Sequence, residues 1–296
     1  MKNIKKLMAF ILSLALMMTL LAACKGEENT SDTPSETGDN GNDTSDYPED
    51  VQEIIDRGVL RVGVKNAVVG FGYQDPLTQE YTGLEVALAE KIAEALGVEI
   101  EFTAVTAATR TELLDSGDID CVLATFTITD ERKQSWDFST PYFTDYVTVL
   151  VENKSGITSL EGLVGKKVGV SSGSTSAKAL VNAMIEGGFI SKDNFNAETF
   201  DPATWTEGVT FNQYDDYPTI STALSAGEID AFCVDKSILA VYNTEGRSYI
   251  ADKFSPQEYG VATKKGSGLS PVVDELITGW LTDGTIEGFI GEYGLE

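Results

Sequence analysis

The chain has no histidine among its 296 residues and only 3 cysteines. Without imidazole the commonest general base is gone, no Ser-His or Cys-His nucleophile pair can form, and no metal site can rest on histidine ligands. Basic residues are scarce as well: 21 Lys and Arg against 47 Asp and Glu give a formal net charge of −26. A chain of that sign repels phosphate backbones, which removes nucleic acid as a partner. No oxygen-rich calcium loop stands out, and Gly165-Lys166-Lys167 lacks the spacing and the Ser or Thr of a phosphate-binding P-loop. These gaps leave binding as the expected activity, without enzyme chemistry, cofactor or metal.

What is present begins with an address. Lys2, Lys5 and Lys6 precede an apolar run, Leu7 to Leu21, that closes in Leu21-Ala22-Ala23-Cys24. A basic start, a short apolar run and a small-residue end read as a secretory signal over residues 1–23. The run is short for a membrane span, and polar sequence follows it at once. Leu-Ala-Ala-Cys resembles the lipobox of bacterial lipoproteins, whose cysteine becomes the lipidated first residue of the mature chain. From Cys24 to residue 50 the sequence is rich in Asp, Glu, Ser, Thr, Asn and Gly, with Tyr47 its one strongly apolar residue after Cys24. Such a segment has nothing to bury, so 24–50 is expected to be a disordered tether that holds a folded body off a membrane.

The body from about residue 51 alternates helices and strands. A short helix carrying Val51, Ile54 and Ile55 is expected to stop at Gly58, followed by a strand over Val59 to Val64. Leu84, Leu88, Ile92 and Leu96 share one helix face, with Gly97 as the stop. Strands over Val98 to Phe102 and Cys121 to Thr125 flank a helix through Glu112 and Leu113. This order argues for an α/β chain with largely parallel sheets. Cys121 and Cys233 fall on strands of different lobes and read as buried free thiols.

An internal echo divides the body in two. Val62-Gly63-Val64 recurs as Val168-Gly169-Val170, and Leu114 to Asp120 (LDSGDID) recurs as Leu224 to Asp230 (LSAGEID), in the same order. Two lobes on one plan follow. In open α/β sheets ligands sit at the carboxyl ends of the strands, which here deliver Lys65 and Thr125 from one repeat and Ser171 and Asp235 from the other. A predicted helix start over Thr127 to Arg132, and the Ser172 to Ser176 stretch ahead of a predicted helix over Ala177 to Ile185, would offer free N–H groups to a carboxylate. On the residues alone, Arg132 serves equally as a solvated helix charge and Asp235 as a helix N-cap.

The stretch Thr125-Phe126-Thr127-Ile128-Thr129-Asp130-Glu131-Arg132, then Phe138-Ser139-Thr140-Pro141-Tyr142, resembles the extracellular amino-acid-binding proteins of polar amino-acid ABC transporters (solute-binding family 3). Gly83-Leu84-Glu85-Val86-Ala87-Leu88-Ala89 is similar to that family's early signature, except that Ala87 stands where an acid is usual. The similarity runs from about Val59 to the end and weakens between Gly188 and Phe211, where the chain carries extra residues without a readable role.

The resemblance implies a two-lobed, periplasmic-binding-protein-like fold of type II, with the cleft between lobes joined by two crossing segments. The lobes are expected at 51–147 plus 259–296 and at 148–258, hinged near Tyr146 to Val149 and Tyr259 to Ala262. It further implies that Arg132 clamps a ligand α-carboxylate, assisted by Thr127 and the main chain of Thr125 and Thr127, while Asp235 holds the α-ammonium. Ser174 and Thr175 would donate from the opposite lobe, and Tyr217 resembles a ligand-facing tyrosine of acidic-amino-acid binders. Arg110 resembles the arginine that glutamate- and aspartate-binding members use for the side-chain carboxylate. With Lys65 it points to an acidic amino acid, although surface solvation of Lys65 and a salt bridge from Arg110 to Glu112 or Asp115 are the plainer roles. The expected partners are that amino acid, an ABC permease with its ATPase, and the membrane through Cys24. The expected state is a lipid-anchored monomer outside the cell. A binder of another polar amino acid such as glutamine, a sensor or adhesion module, and a secreted dehydratase on the same fold are the alternatives.

Overall fold

A computed structural model describes residues 47–296. The signal run, Cys24 and nearly all of the acidic linker lie outside the described residues, so the tether and lipidation expectations do too. Helix α1 (Glu49–Arg57) buries Val51 and Ile54 and ends at Gly58, leading into strand β1 (Val59–Val64). A small antiparallel sheet of β2 (Ala67–Val68), β3 (Gly72–Gln74) and β4 (Tyr81–Thr82) follows. Then come α2 (Leu84–Leu96), β5 (Glu99–Ala104), α3 (Arg110–Ser116), β6 (Cys121–Leu123) and β7 (Trp136–Phe138). The expected apolar face of α2 is buried, as Leu84, Leu88, Ile92 and Leu96 pack into the core.

The long strand β8 (Phe143–Glu152) carries the chain into a second sheet. This holds β9 (Lys166–Ser171), β10 (Val209–Tyr214), β11 (Ala231–Asp235), β12 (Arg247–Tyr249) and β13 (Phe254–Tyr259), packed with α4 (Ser176–Glu186), α5 (Tyr217–Ala226) and the short α6 (Lys236–Leu239). The chain returns through β14 (Ala262–Lys264) to the first sheet and ends in α7 (Leu269–Thr282) and α8 (Thr285–Glu292).

The first sheet has the order β5-β1-β6-β14-β7, the second β10-β9-β11-β8-β12 with β13 also on β8. Parallel pairing is confined to one side of each, β5-β1-β6 and β10-β9-β11. The other side is antiparallel, as β8 and β14 arrive from the opposite lobe and β13 leaves toward it. The sheets are therefore mixed rather than largely parallel. The two crossing segments pair with each other, Phe143 opposite Tyr259 and Val147 opposite Phe254, with an irregularity between Phe254 and Pro256.

The sequence echo is a structural repeat. In the first sheet Asp120 accepts from the Arg61 N–H (2.8 Å) while its own N–H donates to Arg61 O; in the second, Asp230 does the same with Lys167 (2.9 Å). A Cβ on Gly63 would run into Ile119, and one on Gly169 into Ile229, so glycine lets the same isoleucine lie against the same strand in both lobes. The helices before these joints end at Gly117 and Gly227, both left-handed.

The extra residues after α4 fold on their own aromatic cluster. The Phe195, Phe200 and Trp205 ring centroids lie 5.5–6.0 Å apart, and Phe200 meets Phe211 of β10 edge-on. Glu207 ties the segment, accepting from the Ser191 N–H and the Asn194 amide.

Candidate functional site

The expected site residues gather between the lobes. Lys65 follows β1, Arg110 opens α3, and Thr125 and Thr127 lie beyond the end of β6. From the other lobe, Ser174 and Thr175 precede α4, Tyr217 opens α5, and Asp235 ends β11. Lys65, Arg110, Thr125, Thr127, Tyr217 and Asp235 are all buried, so solvation at the surface does not explain Lys65. The helix expected to start at Thr127 is only a 3-10 turn, Arg132–Gln134. Asp235 stands at the N-cap of α6, but its side chain caps nothing there.

Phe126 organises two of the cations. The Arg110 guanidinium carbon lies 3.9 Å from its ring centroid and that of Arg132 4.7 Å. Arg110 makes no salt bridge to Glu112 or Asp115. Its Nη1 donates instead to the carbonyls of Ala124 (2.7 Å) and Thr125 (3.2 Å), while its buried Nε has no partner among the described residues. Arg132 joins the lobes, donating from Nη1 to Thr127 O (2.7 Å) and from Nη2 to Gly173 O (3.1 Å). Gly173, at φ +73°, also brings its backbone against Ala107 so closely that a Cβ would meet Ala107 O at 2.7 Å. Lys65 crosses the other way, its Nζ 5.6 Å from the Tyr217 ring centroid.

Like charges crowd here. Burial, then the Arg110 guanidinium, holds Lys65 well below its ordinary range. The same two causes push Arg132 down to about 9, and burial pushes Arg110 down to about 10. The first counter-charge is Glu85, fully buried, whose Oε1 accepts from the Thr125 N–H (2.5 Å) and the Tyr142 hydroxyl (2.6 Å). Its Oε2 has no partner among the described residues. The second is Asp235. Its Oδ2 accepts from the Tyr259 hydroxyl, and its Oδ1 is likewise unpartnered. Burial, then the neighbouring Asp145, raises Asp235 to about 7. Asp145 itself accepts from the N–H groups of Tyr146 and Ser237 and from the Ser237 hydroxyl.

The threonines are partly committed within the protein. The Thr125 N–H is committed to Glu85, and its φ of +44° is a left-handed conformation that a β-branched residue rarely adopts. The isolated bridge pairing Thr127 with Tyr259 is bonded through its neighbours, Ile128 N–H to Glu258 O and Gly260 N–H to Phe126 O, which leaves the Thr127 N–H outside the pairing. The hydroxyl protons of Thr127 and Thr175 both go to Gln257 Oε1, at 2.8 and 2.7 Å. Ser174 Oγ is buried without a partner among the described residues. Thr127 and Ser174 line the same cavity as Arg132.

An open cavity of about 700 Å³ adjoins this cluster, lined by Arg110, Thr127 and Arg132 on one side and by Ser174, Thr175 and Gln257 on the other. Glu198, Phe200 and Pro202 of the extra segment complete its wall. Lys65, Tyr217 and Asp235 do not line it, being sealed where the lobes touch.

Glu85, Phe126, Asp145 and Gln257 were not singled out from the sequence. Glu85 did carry a signal, as the lone acid in the otherwise apolar Leu84 to Ala89. The other three become relevant only through folding.

A mixed α/β chain in two lobes, with opposed charges in the cleft between them, defines a periplasmic-binding-protein-like fold of type II. The chain belongs to the bacterial extracellular solute-binding proteins, family 3, whose model matches residues 60–286. An ABC transporter glutamine-binding protein of Bacillus subtilis is 32% identical, covering 95% of this chain and 94% of its own. A glutamate-binding protein of Corynebacterium efficiens is 25% identical, covering 80% and 79%. A solved ancestral arginine-binding protein bound to arginine superposes with a TM-score of 0.66 at 31% identity, covering 80% of this chain and 98% of that one. Amide, acid and cation are all represented among these ligands, so the side-chain preference must be argued from this cleft.

Proposed function

We propose that the protein captures an acidic amino acid, glutamate or aspartate, outside the cell and delivers it to the permease of an ABC importer. It acts by binding and not as an enzyme. The observation that carries this reading is the charge layout. Arg132 and Asp235, from opposite lobes, suit an α-carboxylate and an α-ammonium, with Asp235 Oδ1 free to accept. Lys65, Arg110 and Arg132 are three cations sharing two acids, Glu85 and Asp235, so a ligand carrying one extra carboxylate on its side chain would balance the set. Glutamine is the second reading. It is favoured by burial and the neighbouring Arg110, which disfavour the charge on Lys65 and so lessen the need for a carboxylate opposite it.

Calorimetric titration with Glu, Gln, Asp and Asn separates the two. Leaving one side of a buried charge pair unmatched costs about 3–5 kcal/mol, so the acids are expected to outbind their amides by about a hundredfold or more. Lys65→Met is expected to remove most of that gap. It is a cleaner probe than Arg110, which also supports the Ala124 and Thr125 carbonyls. Tighter binding of an amide by the unsubstituted protein would transfer the assignment to glutamine or asparagine.

The proposal includes anchoring through Cys24, supported by Leu21-Ala22-Ala23-Cys24 closing the apolar run. One acyl chain binds membranes only reversibly, so a multiply acylated cysteine is needed for a stable hold. Cys24→Ser is expected to release the protein into the medium. If it stays with the membrane fraction, an uncleaved signal helix is the better explanation.

A further inference from the structure

We propose that Gln257 is a positioning residue that holds the two lobes together, and thereby sets ligand affinity without reading the ligand side chain. Gln257 lies on β13, one of the two crossing strands, and is 2% exposed. Its amide is oriented from both ends. Nε2 donates to Ser255 O (2.9 Å), Ser255 Oγ (3.1 Å) and Pro256 O (3.2 Å), which turns Oε1 toward the threonines. Oε1 then accepts from Thr127, in the loop that follows β6 of the first sheet, and from Thr175, which precedes α4 of the second.

Two hydroxyls from different lobes therefore meet on one buried atom, next to Arg132 and Ser174, which line the same cavity. The local backbone is specialised for this. Ser255 has φ +49°, unusual outside glycine, and the β8–β13 register slips between Phe254 and Pro256. The slip places Gln257 opposite Asp145.

A hydrogen bond of this kind shifts an equilibrium by a factor of about two to ten. Thr127 and Thr175 come from different lobes, so their two bonds to Gln257 Oε1 coexist only while the lobes meet, and losing them lowers the closed fraction. Apparent affinity falls with the closed fraction, by up to that factor, and equally for every ligand. The ligand class rests on the proposed function above; the lobe contact does not.

The test uses Gln257→Met, which keeps the volume and removes the amide, and Thr127→Val, which removes one of the two hydroxyls while leaving β13 intact. Small-angle scattering without added amino acid is expected to show a larger radius of gyration for both variants than for the unsubstituted protein. Titration of Gln257→Met with Glu and Gln is expected to weaken both by about the same factor, two- to tenfold, leaving their ratio unchanged. Scattering that neither variant alters would overturn the proposal, as would a changed Glu-to-Gln ratio in Gln257→Met. Because the scattering arm needs no ligand, it reads the lobe contact even if the acidic assignment fails.

Discussion

Replacing Arg132 with alanine is expected to weaken binding of every amino acid by about a hundredfold or more, with little change in the order of preference. The guanidinium sits on the Phe126 ring and spends one donor on Thr127 O and another on Gly173 O. It thus has two tasks, to face the carboxylate common to all amino acids and to tie the lobes. A buried carboxylate that loses its cation forfeits about 3–5 kcal/mol, or roughly two to three and a half decades of affinity. Arg132→Lys is expected to recover only part of this, because an ammonium cannot bond a carboxylate and two carbonyls in one plane. Titration of both variants with Glu, Gln and Asp checks the prediction. A loss confined to the acids would move Arg132 from the shared carboxylate to the side chain.

The second large effect is expected at Asp235, and it is visible in pH. With burial and Asp145 raising its carboxyl to about 7, this group is half protonated near neutrality. An ammonium beside it favours the carboxylate and lowers the value, so binding must expel a proton at and below about pH 7. Affinity is therefore expected to fall as pH drops below 7, by up to about tenfold per pH unit, while remaining flat above it. Calorimetry in buffers of different ionisation enthalpy, at pH 6 and pH 8, should show proton release only at the lower pH. Asp235→Asn is expected to lose the ammonium's partner, again about two decades or more, and with it the pH dependence. Retained affinity in Asp235→Asn, or an unsubstituted protein indifferent to pH 6, would exclude this carboxylate as the ammonium partner.

Folding changed some chemistry that was already visible in the motifs. Arg110 lines the cleft, but two of its hydrogen bonds go to main-chain carbonyls, because a loop that turns at Thr125 with a left-handed φ exposes those oxygens. Thr127 and Thr175 carry hydroxyls suited to a carboxylate, yet a glutamine 130 residues beyond the first and 82 beyond the second takes both protons.

Local physics alone was enough for much of the rest. Apolar spacing determined α2, glycine stops determined where α1, α2, α3 and α5 end, and the repeated Val-Gly-Val and Gly-x-Ile-Asp patterns determined that two lobes share one joint between helix and strand. These features depend on residues a few positions apart, so the sequence carries them directly. The antiparallel half of each sheet, the pairing of β8 with β13, the placing of Glu85 under Thr125 and the convergence on Gln257 were decided only by tertiary structure. Each joins groups tens to hundreds of residues apart. Their partnership is set by which buried polar atoms must find one another once the chain is packed, a requirement that no local pattern encodes.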